Sequence, residues 1–284
     1  MNFLQPVFAT LAALALLLGI PGQSSSSSSS RPAPAPTTTA TSAPSTEPSS
    51  APSTEPSSEP SSEPSTEPAA PAPTPAADCS NCVALTYDDG PMPGTTDAIL
   101  DIYASRGVKA SFFMIGQNVA EHPELARRVK DEGHTVGNHS YNHLRLPEHP
   151  DKKIWNELFA TNWEIQEQTG VEAKWMRPPY TDYDGRVTEA SRDAGLSVTA
   201  WDVDTADWEH KNPERTCKTV LDQAKGGSIV VMHDVHKETV ASTECIIDGL
   251  LAKGLVPVTL DQLVPNPTPG TVYRTRTDFD AFSN

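Results

Sequence analysis

From about residue 78 onward the sequence predicts an α/β fold built on a parallel sheet closed as a (β/α) barrel. Two observations carry that expectation. Short strand-like runs alternate with helical patterns seven times in a single pass, and such alternation makes either a parallel barrel or an open doubly wound sheet. Five short polar clusters each follow one of the runs. Chemistry spread over five strand ends favours the barrel, because an open sheet concentrates its ligands at one switch point.

The elements follow in order. Val83–Tyr87 is a β-like apolar run that ends in Asp88-Asp89-Gly90, and a helical pattern covers Thr96–Arg106. Ala110–Ile115 is the second strand, with a helix over Pro123–Asp131. Thr135–Gly137 leads into His139 and His143, then a helix over Lys153–Gln168. Lys174–Met176 ends in Arg177-Pro178-Pro179-Tyr180, ahead of a helix over Gly185–Ala194. Ser197–Trp201 precedes Asp204, Asp207 and Trp208, and a helix over Pro213–Ala224 follows. Ser228–Met232 ends in His233-Asp234, then a helix over Thr239–Lys253 leads to the last strand, Val256–Thr259.

The first 77 residues read differently. Val7–Ile20 is uncharged and apolar, the length of a signal-peptide core and short for a membrane span, so residues 1–23 are expected to be an export signal. Residues 24–77 are almost wholly Ser, Thr, Pro, Ala and Glu, with proline at every fourth position from Pro44 to Pro68. Proline at that spacing blocks helix and sheet ladders, so an extended, solvated linker is expected. Residues 78–284 form the expected catalytic domain, long enough for one sizeable core. The formal net charge is −16, of which residues 1–77, with one Arg and five Glu, carry −4. An acidic domain repels phosphate, which excludes nucleic acid as a partner. A neutral glycan, or a polymer with free amines, tolerates it. Cys79, Cys82, Cys217 and Cys245 allow three pairings. Cys79–Cys82 and Cys217–Cys245 are favoured, the first pair being close in sequence and the second lying in helical patterns of neighbouring units.

The polar clusters suggest metal-assisted hydrolysis. His139 and His143, at i and i+4, would share one face of a helical turn and bind one zinc-like ion, with Asp89 as the oxygen donor. Side chains adjacent in a strand diverge, so Asp88 is free to act as a base. Arg177 before two prolines suits a guanidinium fixed against a carboxylate. His122, His149 and His210 read as solvent-facing; His134 is left open, and His236 is a candidate lining of a substrate groove.

Taken together, T-Y-D-D-G, H-S-x-x-H, R-P-P-Y, D-x-x-D-W and a histidine closing a strand resemble the five motifs of the polysaccharide deacetylases, carbohydrate esterase family 4, the NodB-homology domain. The resemblance runs from about Cys82 to Val264. It implies a distorted (β/α) barrel, here of about seven parallel strands, with a metal at its open face. It implies that Asp89, His139 and His143 bind the metal, Zn²⁺ or another divalent ion such as Co²⁺ or Ni²⁺. It makes Asp88 the general base, oriented by Arg177, and His233 the general acid, paired with Asp204. The Tyr180 backbone N–H would stabilise the oxyanion, and Trp208 would wall the acetyl-methyl pocket. Tyr87 and Val231 replace the usual Phe and Leu, and Thr181 replaces the usual Gly after R-P-P-Y. The expected protein is a secreted or cell-surface monomer that removes N-acetyl groups from N-acetylglucosamine polymers, peptidoglycan or chitin. Acetylxylan esterase is the alternative activity, and a non-catalytic glycan-binding protein a further one.

Overall fold

The computed structural model describes residues 77–281. The expected export signal and the linker, apart from Ala77, lie outside the described residues.

The strands are β1 (Cys82–Asp88), β2 (Ser111–Met114), β3 (Thr135–Asn138), β4 (Trp175–Met176), β5 (Ser197–Thr199), β6 (Val203–Asp204), β7 (Ile229–His233), β8 (Val256–Val258), β9 (Val272–Tyr273) and β10 (Phe279–Asp280). Helices α1 (Thr96–Arg106), α2 (Gly116–Glu121), α3 (Pro123–Asp131), α4 (Asp151–Thr169), α5 (Gly185–Asp193), α6 (Asp207–His210), α7 (Pro213–Gln223), α8 (Lys237–Ala252) and α9 (Leu260–Leu263) fall between them. The seven expected strands and six expected helices are present, shifted by a few residues at their ends. Sequence reading missed β6, β9, β10, α2, α6 and α9, which are two to six residues long and too short to show a period.

The strands form one sheet in the order β10-β9-β5-β4-β3-β2-β1-β7-β6, with β8 also on β1. The ladders are parallel except for β9 with β10. β8 runs along Cys82–Ala84 and β2 takes over along Thr86–Asp88. β5 and β6 stand far apart in this order, yet only Ala200–Asp202 separates them. Three residues reach only about 10–14 Å, so the sheet must curl until its two sides meet. The Ala200 N–H donates to Tyr273 O in β9, and the Asp202 N–H donates to Ile229 O in β7.

The pleat then sorts side chains by parity. Val83, Leu85 and Tyr87 of β1 face the larger core beneath the helices, with Phe112, Met176, Val230 and Met232. Cys82, Ala84, Phe113, Trp175 and Ile229 fill the inner side. Continuing the inner parity to the carboxyl ends brings Thr86, Asp88, Arg177, Val231 and His233 to the mouth of the curl. Both expected disulfides are formed, Cys79–Cys82 and Cys217–Cys245, the second joining α7 to α8.

Candidate active site

Arg177 is wholly buried at the centre of this mouth. Its Nη1 donates to Asp88 Oδ1 and to Thr86 Oγ1, both at 2.8 Å, and its Nη2 to the Ala200 carbonyl at 3.2 Å. Its guanidinium lies 4.4 Å from the Phe113 ring centre. Burial drives its pKa down, against the pull of Asp88. The pairing of Arg177 with Asp88 read from the sequence is present.

Asp89 leaves the strand. Its φ of 78° is left-handed, which swings its carboxylate away from Asp88 and toward the histidines. Asp89 Oδ1 lies 3.3 Å from His139 Nε2 and 3.2 Å from His143 Nε2. The three donor atoms all lie within 4.8 Å of one another. His139 Nδ1 is 2.7 Å from the Arg177 carbonyl, which can only accept, so Nδ1 carries the hydrogen and Nε2 offers its lone pair. Asp89 Oδ1 is buried without a hydrogen-bond partner. A lone pair and an orphaned carboxylate oxygen facing each other form a pocket of negative potential that a cation fits.

The two histidines are not on a helical turn, contrary to the reading of their spacing. Ser140 and His143 have φ of 59° and 55°, which end any helix. The turn between them is held from a distance instead. Glu157 of α4 is buried, and its Oε2 accepts the Tyr141 and Asn142 N–H groups at 2.9 and 2.8 Å. The Ser140 hydroxyl accepts the His143 N–H, and Lys153 neutralises Glu157 from the solvent side.

His233 pairs with a different aspartate from the one expected. Its Nδ1 lies 2.8 Å from Asp207 Oδ1, not beside Asp204. Asp207 is buried, and its Oδ2 also accepts the His233 N–H at 2.9 Å and the Thr239 hydroxyl at 2.5 Å. Asp204 is exposed, and its Oδ1 accepts the Ala206 N–H. The cause is Ala206, whose φ of 51° reverses the chain and turns Asp207 inward. Burial disfavours the imidazolium, yet the Asp207 carboxylate carries His233 up to about 9.

These groups share one cleft of about 610 Å³, lined by Asp88, Asp89, His139, His143, Arg145, Tyr180, Thr181, Trp201, Asp204, Trp208, Val231 and His233. Sequence reading missed Arg145 and Trp201, whose surroundings carry no local signal, and assigned Asp207 no role. Tyr180 and Trp208 are more than half exposed at the rim, and the Tyr180 ring packs 4.7 Å from His143. Among the remaining histidines, His134 is buried, with its Nδ1 accepting the Ala110 N–H, and burial drives it down to about 3. His210, expected in solvent, is half-buried with its Nε2 on the Thr205 carbonyl. His236 packs its ring 6.1 Å from His233 but does not line the cleft. Asp234 points to the other side of β7. It is buried on the Thr96 hydroxyl, with one oxygen unpartnered, and burial raises it to about 7.

Residues 76–199 match the family described as polysaccharide deacetylase. The peptidoglycan-N-acetylglucosamine deacetylase PgdA of Listeria monocytogenes is 39% identical over 189 residues, 66% of this chain and 40% of that protein. A peptidoglycan-N-acetylglucosamine deacetylase of Bacillus cereus is 33% identical over 187 residues, 64% of this chain and 87% of that protein. The solved structure of the peptidoglycan deacetylase PdaC from Bacillus subtilis superposes with a TM-score of 0.63 at 32% identity, covering 66% of this chain and 91% of that one. The chain belongs to the polysaccharide deacetylase family, and its curled parallel sheet is that family's barrel. It spans 40% of the length of the Listeria relative.

Proposed function

We propose that this protein is a secreted, metal-dependent hydrolase that removes N-acetyl groups from N-acetylglucosamine-containing polysaccharide, with peptidoglycan the first candidate and chitin the second. The observation that carries the reading is the joining, in one cleft, of the Asp89–His139–His143 set with a histidine whose Nδ1 is held 2.8 Å from a buried aspartate. An amide loses a poor leaving group, and a positioned acid near neutral pH is what that step needs. The names of the relatives support the substrate class, and they do not favour the acetylxylan alternative. Two disulfides suit an oxidising compartment.

Asp89, His139 and His143 would hold the ion, Zn²⁺ being the expected one. When bound, it supplies Lewis-acid polarisation of the acetyl carbonyl and acidifies water. Arg177 holds Asp88 by Oδ1, which leaves Oδ2, 4.0 Å from His139 Nε2, to accept the proton of the attacking water. The Tyr180 N–H donates to the developing oxyanion. Asp207 holds His233 by Nδ1, so Nε2 delivers the proton to the departing nitrogen. Trp201 and Trp208 supply an apolar wall for the acetyl methyl.

The test is acetate release from N-acetylglucosamine oligomers and from peptidoglycan, with and without a chelator. Chelator-sensitive acetate is expected. Binding without any acetate would leave a glycan-binding protein and sink the reading. Zinc titration of His139→Ala and His143→Ala checks the ligands, since full occupancy in either variant is incompatible with the assignment.

A further inference from the structure

We infer that Arg145 is a specificity-determining residue that binds a carboxylate on the glycan beside the reacting acetamido sugar. The inference rests on the deacetylase reading above and narrows its substrate class to anionic glycans.

Arg145 is the only Lys or Arg that lines the cleft among the described residues. The other charged lining groups are Asp88, Asp89 and Asp204, apart from the histidines. Asp88 is held by Arg177, and Asp89 faces the two imidazoles in the candidate metal site. Arg145 has no such partner. Its guanidinium carbon lies over the Tyr180 ring, 4.1 Å from the centre. Its nearest carboxylate, Asp182 Oδ2, stands 3.4 Å from Nη1 and is itself partly exposed. A charge-assisted N–H···O bond is typically about 2.7–2.9 Å, so this contact is loose. Among the described residues no other protein acceptor meets its remaining N–H groups.

The setting is that of a prepared anion receptor. The face of Tyr180 backs the guanidinium through a cation–π contact, which limits the side-chain freedom lost when an anion arrives. The exposed edge is a two-pronged donor whose geometry matches a carboxylate. Position is also constrained. The Tyr180 ring that carries Arg145 packs 4.7 Å from the His143 ring. The cation thus sits two contacts from the expected metal, within reach of a substituent on the reacting sugar or its neighbour. The chain as a whole is acidic, with a formal charge of −16. An anionic polymer is repelled by most of that surface, and Arg145 is the Lys or Arg side chain in the cleft lining that can meet its charge.

Acetate release by the full zinc-loaded chain on three probes tests this. They are a neutral N-acetylglucosamine oligomer, an N-acetylglucosamine–N-acetylmuramic acid oligomer of equal length with free lactyl carboxylates, and that oligomer as its methyl ester. The wild type is expected to show a KM about fivefold lower for the free acid than for the ester, the scale of one half-exposed ion pair. High salt should shrink that ratio. Arg145→Gln should bring the ratio close to one, and Arg145→Lys should keep part of it. An equal fall in kcat on all three probes in Arg145→Gln, with the KM ratio intact, would show that Arg145 only positions Tyr180 and would overturn the inference. A wild type that does not distinguish acid from ester overturns it as well. Absence of acetate from every probe would instead remove the deacetylase reading, and this inference with it.

Discussion

Asp207→Asn separates the charge of Asp207 from its size. Burial disfavours the His233 imidazolium, but the Asp207 carboxylate, 2.8 Å from Nδ1 and assisted by Asp88 and Asp89, carries it up to about 9. With Asn in place of Asp207, burial dominates and the ring falls to its ordinary value of ~6.5 or lower. At pH 8 the protonated fraction then drops from about 0.9 to about 0.03, which predicts a roughly 30-fold loss of kcat if the imidazolium is the leaving-group acid. The assay is kcat on an acetamido sugar oligomer from pH 5.5 to 10. The alkaline limb should move down by at least two pH units, and the two enzymes should converge within a few-fold near pH 6. A cation held by Asp89 offsets the help from the two neighbouring carboxylates, so the wild-type limb lies at or below 9 in the loaded enzyme. The separation between the two profiles is therefore the readout. The stability effect has a definite sign. His233 is raised in the folded protein, so its stabilisation is fully present below ~6.5 and is lost as pH rises through about 9. The variant should be destabilised most near pH 6, by up to about 3 kcal/mol, and little above pH 10. Parallel pH profiles with a uniform loss would refute the reasoning. Asp207 would then serve only to hold the His233 N–H and Thr239.

Three further outcomes are expected. A Cβ at Gly90 would lie 2.1 Å from Asp234 Oδ2, so Gly90→Ala must displace a buried carboxyl next to Asp89. A loss on the order of 1–3 kcal/mol, read by urea denaturation, and weaker zinc binding should result, and unchanged values of both would contradict the packing argument. Arg177→Met strands the buried Asp88 carboxylate and should cost about 3–5 kcal/mol. Adding Asp88→Asn should restore part of that stability but no activity; a double variant as unstable as the single would locate the damage elsewhere. Replacing Cys217 and Cys245 by Ala should cost about 3–4 kcal/mol in thermal unfolding, and replacing Cys79 and Cys82 about 2, because the bridges span 28 and 3 residues. Equal losses from the two bridges would argue against loop closure as the cause.

How legible a feature was in the sequence tracked how local its cause is. The long buried strands and the amphipathic helices were legible because burial writes a period into them. Asp88, Asp89, His139, His143, Arg177 and His233 were legible as polar residues placed at the ends of such runs. The choice between Asp204 and Asp207 was not, because it depends on one left-handed residue, Ala206, that nothing in the surrounding composition demands. The turn between His139 and His143 looked helical by spacing. Its amides are claimed by Glu157, fourteen residues beyond His143, a contact that only the packed α4 creates. Arg145 and Trp201 reach the cleft through tertiary placement alone.

The stretch Ala200–Asp202 is a seam. Its first N–H is stitched to β9 and its last to β7, while the carbonyl of Ala200 accepts Arg177 and the side chain of Trp201 faces the cleft. The bond that joins this stretch to β9 and a bond that holds Arg177, the partner of Asp88, thus share Ala200. A residue inserted here should loosen the join to β9 and remove one of the acceptors that hold Arg177. Local breathing along this seam should register as lost activity before it registers as lost secondary structure.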